Sequence, residues 1–265
     1  MQSLLPNAAI QVLHSQAIEG WSPGDKADRL LAHLRNPQQP TSHFVRSLIK
    51  DFVSFDRSLD LQPRSWFAQM LNHQPYQRRD FPVLSNIPEI RSVSLLRELE
   101  AQVSTARMCQ FLEHDVDLDP STARFDRVHN FIFGDIYDWA GCLRTVDISK
   151  FGTHFAPLTL IDEHLATAKH ALRQSTISIP PKREKIAEFL AHYIWAHPYR
   201  DGNGRTAMTI LLALHPGLRL TQVSASQWYA ASAASLPKYS EIPNPRPWLK
   251  VVDLILPTLN DPLQH

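Results

Sequence analysis

The chain has 265 residues, 27 Lys and Arg against 26 Asp and Glu, and 43% hydrophobic residues. That composition suits one or two globular domains with a sizeable core. Balanced charge and the lack of a basic run offer nothing to hold a phosphate backbone, so no nucleic-acid partner is expected.

Cys109 and Cys142 form neither a CxxC pair nor a Cys/His set at zinc spacing, which fits a reducing compartment without structural zinc. The opening MQSLLPNAAIQVLHSQ has no positively charged leader region and is broken by Pro6 and Asn7. No segment reaches the 18 or so apolar residues of a membrane span, so no membrane partner is expected. The expected location is the cytoplasm, with export as an effector an alternative.

With 8 Gly and 20 Pro, the sequence suits short helices separated by stiff joints. Residues 8–34 predict two helical pieces around the Gly20–Gly24 break, closed by Pro37 and Pro40. Phe44–Leu59 and Arg64–Leu71 read as helices, the first with Phe44, Leu48, Phe52 and Phe55 at helical spacing. Ser92–Glu113 carries Val93, Leu96, Leu99, Val103, Met108, Phe111 and Leu112 as a further stripe. A helix is then expected from near Ser121 to before Gly141, burying Phe125, Val128, Phe131, Ile132 and Ile136. The acids Asp115, Asp117 and Asp119 read as a solvated turn rather than a calcium loop, because Pro120 stands where such a loop needs Gly.

At Arg144 the period drops to two, with Val146 and Ile148 alternating with Thr145, Asp147 and Ser149, and a small β-hairpin is predicted to run to about Phe155. Leu160–Leu172 and Lys182–Trp195 return to helix, separated by Pro180 and Pro181. A strongly apolar helix, Thr206–Leu214, ends at Pro216 and Gly217. His154, His164, His170 and His192 match no three-ligand metal spacing. Tyr199, Phe189 and Ile194 read as core.

Between the last two of these helices lies HPYRDGNGRT, residues 197–206. Gly202 and Gly204 allow close approach of a ligand to the main chain, and their amides open a helix. Such an N-terminus offers unpaired N–H donors and a positive dipole end, a natural phosphate seat. Arg205 can add a bidentate fork and Asn203 an amide donor. An acid among phosphate donors points to Mg²⁺ shared between Asp201 and the phosphates. His197 has the right chemistry for taking a proton. The set points to metal-assisted transfer from a nucleotide.

This string resembles the signature of the Fic family, His-Pro-Phe followed by any residue, Asp or Glu, and Gly-Asn-Gly-Arg, with Tyr199 in place of Phe. The stretch IFGDIYDWAGCLRTVDISKFGTHFA, residues 132–156, resembles the family's approach to a hairpin flap. The resemblance implies an all-α fold with a small β-hairpin flap over the active site. It also implies transfer of AMP from ATP to a Ser, Thr or Tyr hydroxyl of a target protein. On that reading His197 is the base, Asp201 holds Mg²⁺, and Gly202, Asn203, Gly204 and Arg205 bind the nucleotide. The flap, with Thr145, Val146, Asp147, Ile148, Ser149 and Lys150, would dock an extended target segment.

Near the start, HSQAIEG resembles the inhibitory helix of self-restrained members of that family. Ser15, Glu19 and Gly20 match its core, and Glu19 would enter the nucleotide pocket. The family's second arginine, three residues after the first, is Met208 here. The donor nucleotide is therefore left open, as are removal of AMP and a binding or toxin-type module with little catalysis. The organisation expected is an N-terminal helical region (1–118, candidate inhibitory helix at about 8–20), a Fic core (119–217) and a C-terminal helical extension (218–265). A second copy of the chain is a further candidate partner.

Overall fold

The computed structural model describes residues 5–24, 27–71, 74–113, 124–150, 153–177, 182–237 and 242–256. Among the described residues the architecture is helical, with one two-stranded antiparallel sheet. The helices are α1 (Asn7–Ile18), α2 (Asp28–Arg35), α3 (Thr41–Ser58), α4 (Trp66–Leu71), α5 (Val93–Glu113), α6 (Phe125–Phe133), α7 (Ile161–Thr176), α8 (Arg183–Ala196), α9 (Asn203–Leu214), α10 (Ala225–Ser235) and α11 (Arg246–Ile255). Strands β1 (Ser149–Lys150) and β2 (Thr153–His154) pair with Ser149 opposite His154 and Lys150 opposite Thr153.

Helix α5 is the central post. It is packed by α1, α3, α6 and α9, so it is buried nearly all round rather than along one stripe. Leu96, Leu99, Val103, Met108 and Phe111 are buried as expected, joined by Ala101, Gln102, Ser104 and Thr105. Val93, expected inside, is exposed. On the other side α8 lies between α7 and α11, and α10 closes against α11 and α8. Because α9 packs against α1, α5, α6 and α8, the loop that opens it stands where the two halves meet.

Several boundaries differ from the sequence expectation. The helix expected to run up to Gly141 stops at Phe133, with Gly134 as its cap, and residues 135–141 form turns that end on Gly141 at φ 83°. Its expected start at Asp119–Ser121 lies outside the described residues, as do Asp115 and Asp117. The expected hairpin from Arg144 has regular pairing only at 149–150 and 153–154. The Arg144 side chain gives the reason: it is buried and donates to the carbonyls of His197 (2.9 Å), Val146 (2.8 Å), Ala196 (3.3 Å) and Ala156. This ties 144–148 to the end of α8 rather than to a ladder. Phe55 is 53% exposed and Asp56 is buried in its stead; Asp56 accepts from the Arg91 and Ser92 amides and pairs with the Arg91 side chain. Helix α4 has no buried residue. His164 and His192 face each other, Nδ1 to Nδ1 at 3.0 Å, and Trp195 donates to His164 Nε2, so both are hydrogen-bonded side chains.

Candidate active site

Helix α8 ends because Pro198 disfavours helical geometry at the residue before it. His197 accordingly sits at φ 41°, in the left-handed region, while its N–H still donates to Tyr193 O at 3.0 Å. A non-glycine residue held there stores strain of a kind found at functional sites. Its Nδ1 lies 3.3 Å from Ile194 O. A carbonyl can only accept, so Nδ1 carries the proton and the Nε2 lone pair is left for a substrate. Phe155, just after β2, stacks on the imidazole with centroids 3.7 Å apart and planes 18° from parallel. Burial lowers the His197 pKa to about 3, which keeps the ring neutral and able to accept a proton.

The loop then turns through Gly202 at φ 77°. A β-carbon there would lie 2.4 Å from the Phe133 ring, so the packing and the backbone both demand glycine. Helix α9 starts at Asn203, earlier than the expected Thr206, because Gly202 O already accepts from Thr206 N–H and Thr206 Oγ1. Asn203 was expected to offer its amide to a ligand. The structure instead has it clasping the loop: Nδ2 donates to Tyr199 O (2.9 Å) and Oδ1 accepts from Tyr199 N–H (3.0 Å).

Asp201 accepts from the Gly202 amide through Oδ1, and its side chain is 54% exposed. Burial raises its pKa, but Arg205, the Gly202 amide, Lys150 and Arg200 outweigh this and the net shift is downward, so it is ionised. A carboxylate that lines both cavities, with one oxygen held by the Gly202 amide, fits Mg²⁺, which takes one or two carboxylates and fills its shell with phosphate and water. Among the described residues no cluster of three or more metal-ligating side chains accompanies it. Beneath the loop, His129 Nε2 donates to Asp201 O (2.9 Å) and its Nδ1 accepts from Gly141 N–H (2.9 Å). Burial depresses His129 to about pKa 4, so it stays neutral in this bridge.

Arg205 does not point freely at a ligand. Its Nη2 is 2.6 Å from Glu100 Oε1 on α5, with side-chain exposures of 8% and 13%, and Tyr137 Oη donates to the other Glu100 oxygen. The guanidinium also lies 4.6 Å from the Phe133 ring centroid. Burial lowers the Arg205 pKa, but Glu100, Asp201 and Glu19 outweigh that and hold it above the ordinary value. Met208 is fully buried in the core, facing away from the loop's cavities.

Glu19 comes to this place from the other end of the chain. It caps α1, and Gly20 at φ 87° donates to Ala17 O while Trp21 N–H donates to Gln16 O, a Schellman turn. Gly20 therefore serves to end the helix so that Glu19 projects from it. Ser15 is fully buried, with no hydrogen-bond partner for its hydroxyl among the described residues. The Glu19 carboxylate reaches the N-terminus of α9, where a β-carbon on Gly204 would lie 2.0 Å from Oε1. Burial raises the Glu19 pKa against the opposing pull of Arg205 and Lys150.

Two cavities meet at Glu19, Lys150 and Asp201. One, of about 400 Å³, has His197 and residues 201–204 on its floor, Thr153 and Phe155 of the flap on one side, and Trp228, Tyr229, Ser232 and Leu236 of the α10 region on the other. The second, of about 440 Å³, holds Arg205, Glu100, Arg97 and Arg200. Of the flap residues, Lys150 reaches both cavities and carries a cation–π contact with Tyr229. Thr145 is tied to Tyr76, whose hydroxyl accepts from its amide at 2.9 Å. Val146, Asp147, Ile148 and Ser149 line neither cavity.

Sequence reasoning did not single out Glu100, Tyr137, His129, Arg144, Phe155 or Tyr229. Glu100 had a signal, since it stands four residues from Leu96 and four from Ser104 on the inward face of α5.

Residues 119–214 match the Fic/DOC family. The chain is 32% identical over 139 residues to the probable protein adenylyltransferase y4lH of Sinorhizobium fredii, covering 50% of this chain and 70% of that protein. It is 25% identical over 139 residues to protein adenylyltransferase VbhT of Bartonella schoenbuchensis, covering 51% of this chain and 29% of VbhT. With the probable protein adenylyltransferase Fic of Salmonella typhimurium it shares 32% over 113 residues, 40% of this chain and 56% of that one. The chain thus spans from under a third to just over half of these last two. The fold resembles the N-terminal Fic domain of a VirB-translocated effector from Bartonella sp. AR 15-3, with TM-score 0.59, 16% identity, and coverage of 66% and 88%. It also resembles BepC of Bartonella tribocorum with bound AMPPNP, with TM-score 0.56, 17% identity, and coverage of 69% and 97%.

Proposed function

The chain belongs to the Fic/DOC family, and from that premise we propose that it is a protein adenylyltransferase, moving AMP from ATP to a Ser, Thr or Tyr hydroxyl of a target protein and restrained by Glu19. The observation that carries this reading is the position of His197. Its proton is committed to Ile194 O, and the ring opens onto the cavity floored by the N-terminus of α9.

In the reaction, His197 Nε2 takes the proton of the target hydroxyl as its oxygen attacks the α-phosphorus of ATP. The bond from that phosphorus to the β-phosphate oxygen breaks and pyrophosphate leaves. Holding both reactants in one cavity accounts for much of the rate, and a general base adds about 10²–10⁴. The amides of residues 203–205, at the first turn of α9, stabilise charge on the transferring phosphoryl group. Bound Mg²⁺, held by Asp201, would neutralise phosphate charge. Asn203 keeps the loop closed and His129 holds the Asp201 backbone, so both act through position. Tyr229 and Trp228 give the cavity at His197 an aromatic wall suited to a nucleotide base. The flap would place the target segment.

Glu19 occupies the neck between the two cavities, where its carboxylate competes with phosphate for the end of α9. The test is intact-mass spectrometry of the purified chain with Mg²⁺ and ATP, comparing wild type, Glu19→Gly, and Glu19→Gly with His197→Ala. AMP added to the single variant and not to the double supports transfer, base and restraint together. Equal labelling of wild type and Glu19→Gly removes the restraint, and labelling that survives His197→Ala removes the base.

A further inference from the structure

A nucleotide seated with its base beside Tyr229 and its α-phosphate at the end of α9 would pass its remaining phosphates through the neck that Glu19 occupies, into the 440 Å³ cavity beyond. That cavity has charge to receive them. Arg97, Lys150, Arg200 and Arg205 line it against the carboxylates of Glu19, Glu100 and Asp201. If Glu19 withdraws, four cations face two carboxylates.

The four cations are not equivalent. Arg205 is tied to Glu100, and Lys150 lies near the Tyr229 ring. Neither Arg97, on α5 one turn before Glu100, nor Arg200, in the loop beside Asp201, makes an ion pair or side-chain hydrogen bond among the described residues. The other walls include Pro82, Val83, Leu84, Val93 and Leu96. A partly apolar lining of this kind strengthens a charge contact relative to open water. At residue 208, by contrast, a methionine lies sealed in the core and can offer a phosphate nothing.

We propose that Arg97 and Arg200, on α5 and in the loop beside Asp201, form the seat of the terminal phosphate of the donor triphosphate. The proposal rests on the transferase reading above. It makes the site selective for a triphosphate over a diphosphate, since the terminal group alone extends to these two arginines. It also places the departing pyrophosphate in the second cavity, away from the flap and the target.

The experiment is calorimetric titration of the full chain carrying Glu19→Gly with ATP and with ADP, each with Mg²⁺, compared with the same chain carrying Arg97→Ala or Arg200→Ala in addition. Removing a charge-assisted contact to the terminal phosphate weakens ATP about tenfold for each substitution and leaves ADP essentially unchanged. Arg97→Lys, which keeps the charge, falls between. Since neither side chain makes an ion pair or side-chain hydrogen bond among the described residues, thermal melting of the variants stays close to the parent and serves as the folding control. Equal loss for ATP and ADP, or no loss for either, overturns the proposal while leaving the transferase reading in place. A Glu19→Gly chain that binds neither nucleotide overturns both.

Discussion

The Glu19 carboxylate occupies the space that a side chain on residue 204 would need: Oε1 lies 2.0 Å from the position of a Gly204 β-carbon. The two residues are 185 positions apart in sequence and mutually exclusive in volume. Gly204→Ala therefore has two opposed effects. Within a helix, alanine is favoured over glycine by about 0.8–1 kcal/mol, but here it must first displace the end of a carboxylate side chain. We expect Gly204→Ala to be destabilising or neutral with Glu19 present and stabilising in the Glu19→Gly background. A double-mutant cycle by urea unfolding reads the difference, and additive values would show that the two residues do not meet.

Gly202→Ala has no such escape. Its backbone is at φ 77° and the obstructing atoms belong to the ring of Phe133, which is buried in the core. Left-handed geometry costs a non-glycine residue roughly 1–2 kcal/mol and overpacking about 1–3 more. A loss near 3 kcal/mol in denaturant unfolding is expected, unaltered by removing Glu19. A variant as stable as wild type would contradict this placement of the loop.

His129 is itself buried and bridges two partly buried backbone groups, so His129→Phe keeps the aromatic packing while leaving Gly141 N–H and Asp201 C=O without their partner. Each unpaired group costs about 1–3 kcal/mol. The expected result is lower stability together with a fall in AMP transfer measured by intact mass in the Glu19→Gly background. Unchanged transfer with lowered stability would confine His129 to a structural role.

Protons act on the fold in a defined direction. Burial holds His129, His192 and His215 at about pKa 4 and His197 at about 3. The unfolded chain binds protons at these sites below about pH 6.5 and the folded chain does not. Stability is thus full above that pH and declines as pH falls towards 4. Glu19 has the opposite sign, because its raised pKa favours the folded state as it takes up a proton, so Glu19→Gln should steepen the decline. Urea unfolding at pH 7.5, 5.5 and 4.5 tests both statements, and a flat profile would refute them. For the same reason, transfer by Glu19→Gly should show no acid limb near pH 6.5.

Much of this arrangement was legible from residue order. The pattern from His197 to Thr206 placed a histidine, an acid and an anion-binding helix start together because their chemistry depends on neighbours in the chain. The end of α1 was equally readable, since a glycine after Glu19 spells a helix stop. What escaped were contacts made across the fold. The sequence reads Arg205 as a fork for phosphate, with Asp201 four residues away assigned to a metal, because its closer partner Glu100 arrives on α5, 105 positions earlier. Arg144 stands where the alternation begins, yet its hydrogen bonds go to the carbonyls at the end of α8, a demand that no local period encodes. Phe55 followed the helical spacing of its neighbours but lies at the solvent edge of α3, while Asp56 turned inward to bind the start of α5. Periodicity located these helices and left the identity of their partners to tertiary packing.

The Schellman turn after α1 has a further consequence. Because Gly20 and Trp21 lock the helix end, and the Trp21 indole N–H is held by Glu98 at 2.9 Å, Glu19 is delivered to the loop by a short, stiff tether within the same molecule. Its effective concentration there is set by the fold, at the millimolar level or above expected for short connections. Dilution does not move it from the end of α9, so its place there is the same at any protein concentration.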